Sequence, residues 1–132
     1  MAGYSGTPLA KKLGIKPAAR VLLVGAPEGF SIEGLPEDAS VSAAHKKDVD
    51  VAVLFSTERK KLKAAFGAAA AKAKKEASIW VAWPKRASKL PTDLTEDVLR
   101  EELLPTGYVD TKVCAIDDRW SGLRFVLRVE NR

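Results

Sequence analysis

Ile79-Trp80-Val81-Ala82-Trp83-Pro84-Lys85-Arg86 is the stretch that decides the fold. An apolar run this short and unbroken reads as a strand covered on both faces. Pro84 ends it, because proline has no N–H to give to a ladder. Lys85 and Arg86 then open a polar loop. Trp80 and Trp83 stand three positions apart, so a strand sends them to opposite faces. Directly upstream, Glu58 to about Glu76 reads as a helix. Its apolar stripe is Leu62, Phe66, Ala69 and Ala73, at spacings that keep one face. Alanine dominates it and favours helix intrinsically. Ser56 or Thr57 is expected to cap this helix. Before it, Val49 to Phe55 is a strand interrupted by one charge, Asp50. Strand, helix and strand in succession predict a right-handed crossover joining a parallel pair.

The rest of the chain is read outward from that unit. Residues 1–6 are small and polar and are expected to be a loose end. Thr7 caps a short helix with Pro8 at its first position, Leu9 and Leu13 share a face, and Gly14 ends it in the left-handed region. Val21 to Val24 is a buried strand. Gly25-Ala26-Pro27-Glu28-Gly29 is a turn. Phe30 to Leu35 is expected to form a short helix, and Ala39 to Ala43 a weak strand. On the other side, residues 84–92 make a loop. Thr95 caps a helix running to about Leu104, with Leu94 and Leu99 placed as a hydrophobic staple. Pro105 and Gly107 close it. Val109 to Ile116 and Leu123 to Val129 alternate apolar and polar residues, which predicts an antiparallel hairpin at the sheet edge. Trp120, in its turn, is expected to pack across the strand ends, with Asp117 and Asp118 shaping the turn. The fold class is α/β: one domain over residues 1–132, a reduced Rossmann-like mixed sheet with flanking helices, ending in that hairpin.

Composition fits a soluble protein of this kind. The chain has 132 residues, 46% of them hydrophobic and 30% charged. A chain of that length buries roughly two-thirds of its unfolded surface, enough for its own core. No apolar run approaches the ~18 residues of a membrane span. No basic-then-apolar leader opens the sequence. The single cysteine, Cys114, allows no internal disulfide and fits a reducing cytoplasm. The net charge of +5 suits anionic partners without naming one.

Two resemblances follow from particular segments. Lys16-Pro17-Ala18-Ala19-Arg20-Val21-Leu22-Leu23-Val24-Gly25-Ala26-Pro27-Glu28-Gly29 resembles the first strand and glycine loop of S-adenosylmethionine-dependent methyltransferases. The closing hairpin resembles the antiparallel pair that ends their fold. The whole chain also resembles a family of small uncharacterised bacterial proteins, through residues 3–14, Trp80-Val81-Ala82-Trp83-Pro84-Lys85, Thr92-Asp93-Leu94-Thr95-Glu96-Asp97, Val113-Cys114-Ala115 and Trp120-Ser121-Gly122-Leu123. That family brings no activity with it. The methyltransferase pattern is broken where it would bind cofactor. Leu23 stands where the family carries an acid. Pro27 replaces the loop's middle glycine, which would let the backbone approach the cofactor. Glu37 and Asp38 precede the weak strand, where an acid for the ribose hydroxyls should follow it. No cofactor is predicted, and ordinary S-adenosylmethionine binding is not expected.

Ligands of open α/β sheets sit outside the carboxyl ends of the strands. That edge collects Gly25, Glu28, Gly29, Ser56, Thr57, Lys85 and Arg86, a candidate pocket for a small anion at a helix N-terminus. The plainer reading gives Ser56 and Thr57 a capping role, the glycines a turn, and Lys85 and Arg86 to solvent. The basic run Arg59-Lys60-Lys61, Lys63, Lys72, Lys74 and Lys75 lacks interleaved aromatics, so a solvated face is favoured over nucleic-acid binding. His45 and Cys114 have no metal-ligand spacing and form no nucleophile–base pair. No catalytic residue and no metal ligand is predicted. The resulting expectation is a cytoplasmic, non-catalytic binding or regulatory module. The alternative is an enzyme or sensor for a small anionic ligand. A homodimer is compatible with both, and a membrane partner is not expected.

Overall fold

The parallel pair predicted around Trp80 is the centre of the sheet. The computed structural model describes residues 7–132, so the expectation for residues 1–6 lies outside the described residues. In chain order the elements are α1 (Leu9–Leu13), β1 (Arg20–Val24), β2 (Ser40–Ser42), β3 (Val49–Phe55), α2 (Arg59–Lys72), β4 (Ala73–Pro84), α3 (Glu96–Leu103), β5 (Tyr108–Ala115) and β6 (Trp120–Leu127). The described residues form a six-stranded sheet in the order β2-β1-β3-β4-β6-β5. The first four of these are mutually parallel, and β6 runs antiparallel to both β4 and β5. This is the mixed α/β, Rossmann-like sheet expected. The chain goes from β1 to β2 on one side and returns to β3 on the other. The strand order therefore reverses between β1 and β3.

Both faces are covered, as the unbroken apolar runs require. Residues along β3 alternate: Ala52 and Leu54 pack with Leu62, Phe66 and Ala69 of α2, while Val51 and Val53 pack with Leu9 and Leu13 of α1. Trp83 joins the α2 side and Trp80 the α1 side, as their spacing predicts. Trp80 is fully buried, and its Nε1–H donates to the Leu13 carbonyl at 3.1 Å. Phe66 meets the rings of Tyr108 and Phe125 edge-on, at 5.1 and 5.6 Å. α3 closes the same side: Thr95 Oγ1 accepts the Val98 N–H at 3.2 Å, and Leu94 and Leu99 are buried.

Several boundaries differ from the sequence expectation, each for a physical reason. The helix predicted to reach Glu76 stops at Lys72, and Ala73 is already extended, with φ −92° and ψ 147°. Ala73 therefore opens β4 and leaves the helix stripe. Its neighbours Ala, Lys and Glu prefer helix, but pairing with β3 overrides them. Val49 pairs with Ala73 and Val51 with Ser78, so two steps along β3 face five along β4. The surplus residues bulge out of the ladder. Lys74 is pinned there by Asp50 at 2.8 Å.

Phe30 to Leu35 forms no helix. Gly34 sits at φ 80°, and a Cβ on it would lie 2.5 Å from the Pro8 Cβ. The Ala10 N–H donates to the Glu33 carbonyl at 3.0 Å, which docks this segment on α1. Pro8 stands just before α1 instead of inside it, without a side-chain cap bond. The weak strand shortens to Ser40–Ser42. Only half of the hairpin is at the edge: β5 is the outer strand and β6 inserts between it and β4. Trp120 is the first residue of β6, and Asp117 Oδ1 turns the chain into it by accepting the Arg119 and Trp120 N–H groups at 2.8 and 2.9 Å. No described helix is long and apolar enough to cross a membrane.

Candidate functional site

The carboxyl ends of β1 and β3 are where the sheet topology puts a ligand. Gly25 follows β1 at φ 69°, and a Cβ on it would stand 3.0 Å from the Phe55 carbonyl oxygen. Glycine is needed there both for the left-handed turn and for that close approach. The turn closes when the Phe30 N–H donates to the Pro27 carbonyl at 3.1 Å. This returns the chain so that the Phe30 ring meets Phe55 edge-on, with centroids 4.9 Å apart. Trp120 meets the other side of Phe55 at 5.0 Å, again edge-on. Phe55 and Trp120 are only 7% and 8% exposed. An aromatic trio from three separate segments thus meets at the end of β3. Glu28 is exposed on the turn, and Gly29 holds it at φ 80°.

The start of α2 is also occupied by the protein itself. Ser56 and Thr57 do not cap the helix; Glu58 takes the cap position without a side-chain cap bond. The Ser56 N–H donates to the Ala82 carbonyl at 2.9 Å, and the Thr57 carbonyl accepts the Thr92 hydroxyl at 2.7 Å. Asp93 reaches across from the loop after β4, and its Oδ1 accepts the Arg59 N–H at 2.7 Å. The helix N-terminus expected to attract an anion therefore holds a carboxylate of the same chain. Asp93 was missed because a cap supplied from a distant loop leaves no local sequence pattern.

Lys85 and Arg86 are placed differently. They line a cleft of about 430 Å³ between the end of β4 and the start of α3, together with Trp83, Leu90, Thr92 and Thr95. The Lys85 N–H donates to the Arg119 carbonyl at 2.8 Å, and the Ser88 hydroxyl donates to the Lys85 carbonyl at 2.6 Å. The backbone is fixed while both cationic groups stay without an ion pair among the described residues. Of the seven candidate residues, Lys85 and Arg86 share this cleft. Gly25, Glu28, Gly29, Ser56 and Thr57 are not in its lining.

The basic run Arg59 to Lys75 is neutralised in part, and Lys63, Lys72 and Lys75 have no ion pair among the described residues. Arg59 pairs with Glu101 and Glu102 at 3.0 and 2.8 Å, Lys60 and Lys61 pair with Glu58, and Lys74 pairs with Asp50. His45 Nε2 lies 3.2 Å from both the hydroxyl and the carbonyl oxygen of Ser40. Burial pushes the Cys114 thiol up despite Lys12 and Lys112, so it stays a thiol at neutral pH. No group of three or more His, Cys, Asp or Glu side chains could hold a metal among the described residues.

A second cleft, of about 460 Å³, lies at the opposite, amino end of the parallel strands. Lys16, Asp50, Lys74, Glu76, Ser78 and Arg124 carry its polar lining. Asp50 accepts the Arg20 N–H and the Lys74 ammonium, each at 2.8 Å. Burial pushes its carboxyl up, but those two partners together outweigh burial and hold it below the usual carboxylate range. Asp50 also holds Lys74 above the usual ammonium range. Ser78 is buried, and its hydroxyl accepts from Arg124 Nε at 2.8 Å. The one sequence signal for this cleft was Asp50, a charge inside an otherwise apolar strand.

No protein-family model matches the sequence, and no curated protein matches it. Solved structures are similar in fold. An S-adenosylmethionine-dependent methyltransferase from Aquifex aeolicus superposes with a TM-score of 0.63 at 16% identity, covering 89% of this chain and 86% of its own. The Methanococcus jannaschii fibrillarin pre-rRNA processing protein gives 0.59 at 14% identity, over 90% of this chain and 73% of its own. A ribosomal protein L11 methylase from Lactobacillus delbrueckii subsp. bulgaricus gives 0.56 at 11% identity, over 91% and 75%. At these identities the likeness shows the methyltransferase-like fold alone.

Proposed function

We propose that this chain is a non-catalytic binding or regulatory module built on a methyltransferase-like scaffold. One observation carries the reading. At the carboxyl ends of the strands Phe30, Phe55 and Trp120 pack on one another edge-on, and Gly25 lies close against the Phe55 carbonyl. S-adenosylmethionine does not fit these residues. Pro27 offers the loop no N–H, and Ser40–Ser42 is followed by Ala43-Ala44-His45, without an acid to meet a ribose. The likeness to small bacterial proteins of unknown function, and a cytoplasmic setting, agree with this reading and rest on the sequence alone. Incubation with labelled S-adenosylmethionine and a cell-extract acceptor pool tests it. No methyl transfer is expected, and enzyme-dependent transfer above background overturns the proposal.

The cleft at Lys85 and Arg86 favours a more specific form of the same reading, a sensor for a small anion. Two cations without an ion pair among the described residues, set on a fixed backbone beside the Trp83 ring, support it. Calorimetric titration with inorganic phosphate, pyrophosphate and citrate is the check. Affinity for one of these should fall at least tenfold in Lys85→Ala/Arg86→Ala, and unchanged affinity in that variant removes this form of the reading.

A further inference from the structure

Arg124 is held in an unusual way. Its Nε donates to Ser78 Oγ at 2.8 Å and its Nη1 to Thr111 Oγ1 at 3.1 Å. Both partners are neutral hydroxyls. Neither Arg59 nor Arg100 is held so; both rest on carboxylates. Arg124 therefore has its position set without its charge being neutralised, and Nη2 has no partner among the described residues. A guanidinium presents a planar fork that matches a carboxylate. Ser78 is the one buried polar residue of the described chain. Burying a hydroxyl is costly unless it is bonded, and here the bond it makes orients a cation toward a cleft.

The cleft around Arg124 is shaped by the fold's irregular features. The bulge in β4 pushes Lys74 and Glu76 out of the ladder and into the lining. Bulges re-aim side chains in this way. Ala18, also in the lining, has φ 63°, which a non-glycine residue adopts at a cost. Among the lining charges, Asp50 and Lys74 satisfy each other. Lys16 and Arg124 then remain as cations without a carboxylate, and Glu76, which acts on the Lys74 ammonium through space, makes no ion pair within contact distance among the described residues. Two positive groups and one negative one are left facing about 460 Å³ of space.

We propose that this cleft is a binding site for a small zwitterion, a carboxylate and an ammonium on one short skeleton, as in an α-amino acid. Arg124, with Lys16, takes the carboxylate, and Glu76 takes the ammonium. The site lies at the opposite end of the strands from Lys85 and Arg86, so it stands or falls separately from the anion cleft there.

Heteronuclear NMR titration of the full chain with alanine and with propionate tests it. Alanine is expected to shift the amides of Ser78 and Arg124 and to leave those of Lys85 and Arg86 in place. Propionate, lacking the ammonium, should bind several-fold more weakly. Arg124→Gln should weaken alanine at least tenfold. Glu76→Gln should bring alanine down to the level of propionate. Lys16→Ala, in an exposed loop, should weaken both ligands and covers the case in which Arg124→Gln fails to fold. Lys85→Ala/Arg86→Ala should bind alanine as the parent does. The proposal is overturned by no shift at millimolar alanine, by shifts confined to the Lys85 end, or by equal affinity in the parent and Lys16→Ala.

Discussion

The two ends of the parallel strands are built on opposite principles. At the carboxyl end, apolar rings take the space: Phe30, Phe55 and Trp120 stack edge-on, and the exposed N–H at the start of α2 is satisfied by Asp93. At the amino end, polar groups take it: Asp50 pairs with Lys74 and Ser78 with Arg124, on either side of a bulge. In an open α/β sheet the carboxyl end is the usual place for a ligand. Here aromatic rings pack on the end of β3, and a cleft at the same end of the sheet lies further out, at Lys85 and Arg86. Strand order sets where a pocket can form; the side chains at each strand end decide whether one does.

The contrast can be broken most strongly at the aromatic trio. Trp120→Ala removes a buried ring with no polar compensation. It should cost about 3–5 kcal/mol of stability, measured by urea denaturation; a loss below about 1 kcal/mol would mean that the ring is not packed against Phe55. Asp93→Ala tests whether that carboxylate caps α2. It should cost about 1 kcal/mol, with the loss of helical signal centred on α2. At the polar end, Asp50→Asn is predicted to cost about 1 kcal/mol at neutral pH. The sign of its pH dependence follows from the depressed carboxyl. The stabilisation is fully present above the unfolded carboxylate value and is lost as pH falls through the lower folded value. Acid unfolding of Asp50→Asn should therefore be shallower than that of the parent as pH falls below the ordinary carboxylate range. The smallest effect on stability is expected for Lys85→Ala/Arg86→Ala, within about 0.5 kcal/mol. A large loss there would reassign both residues to a structural role.

Much of this arrangement was legible in the residues, and the limits are instructive. The crossover around Trp80 was readable because apolar runs and a helical stripe are local patterns. The opposite faces of Trp80 and Trp83 followed from strand geometry alone. The end of α2 was not readable: Ala73-Lys74-Lys75-Glu76 has helix-forming composition, and what holds it extended is distant in sequence, the pairing of Ala73 with Val49 and the Lys74–Asp50 ion pair. Phe30 to Leu35 failed for a related reason, since contact with Pro8 and α1 fixes Gly34 in a conformation that no helix contains. At the candidate site, position at the carboxyl ends of the strands grouped Lys85 and Arg86 with the other candidate residues. It could not separate them from Ser56 and Thr57, whose backbone groups are taken up by Ala82 and Thr92. The Ser78–Arg124 bond joins residues far apart in the chain, and neither stands out in its own strand.

Calorimetric titration of the purified chain with S-adenosylmethionine tests the central claim most directly. With Phe30, Phe55 and Trp120 packed together at the strand ends and Pro27 in the loop after β1, the protein should give no saturable heat up to high micromolar cofactor. Saturable binding in the low micromolar range would contradict the account, because it would require the Phe30–Phe55–Trp120 trio to yield its place to a ligand.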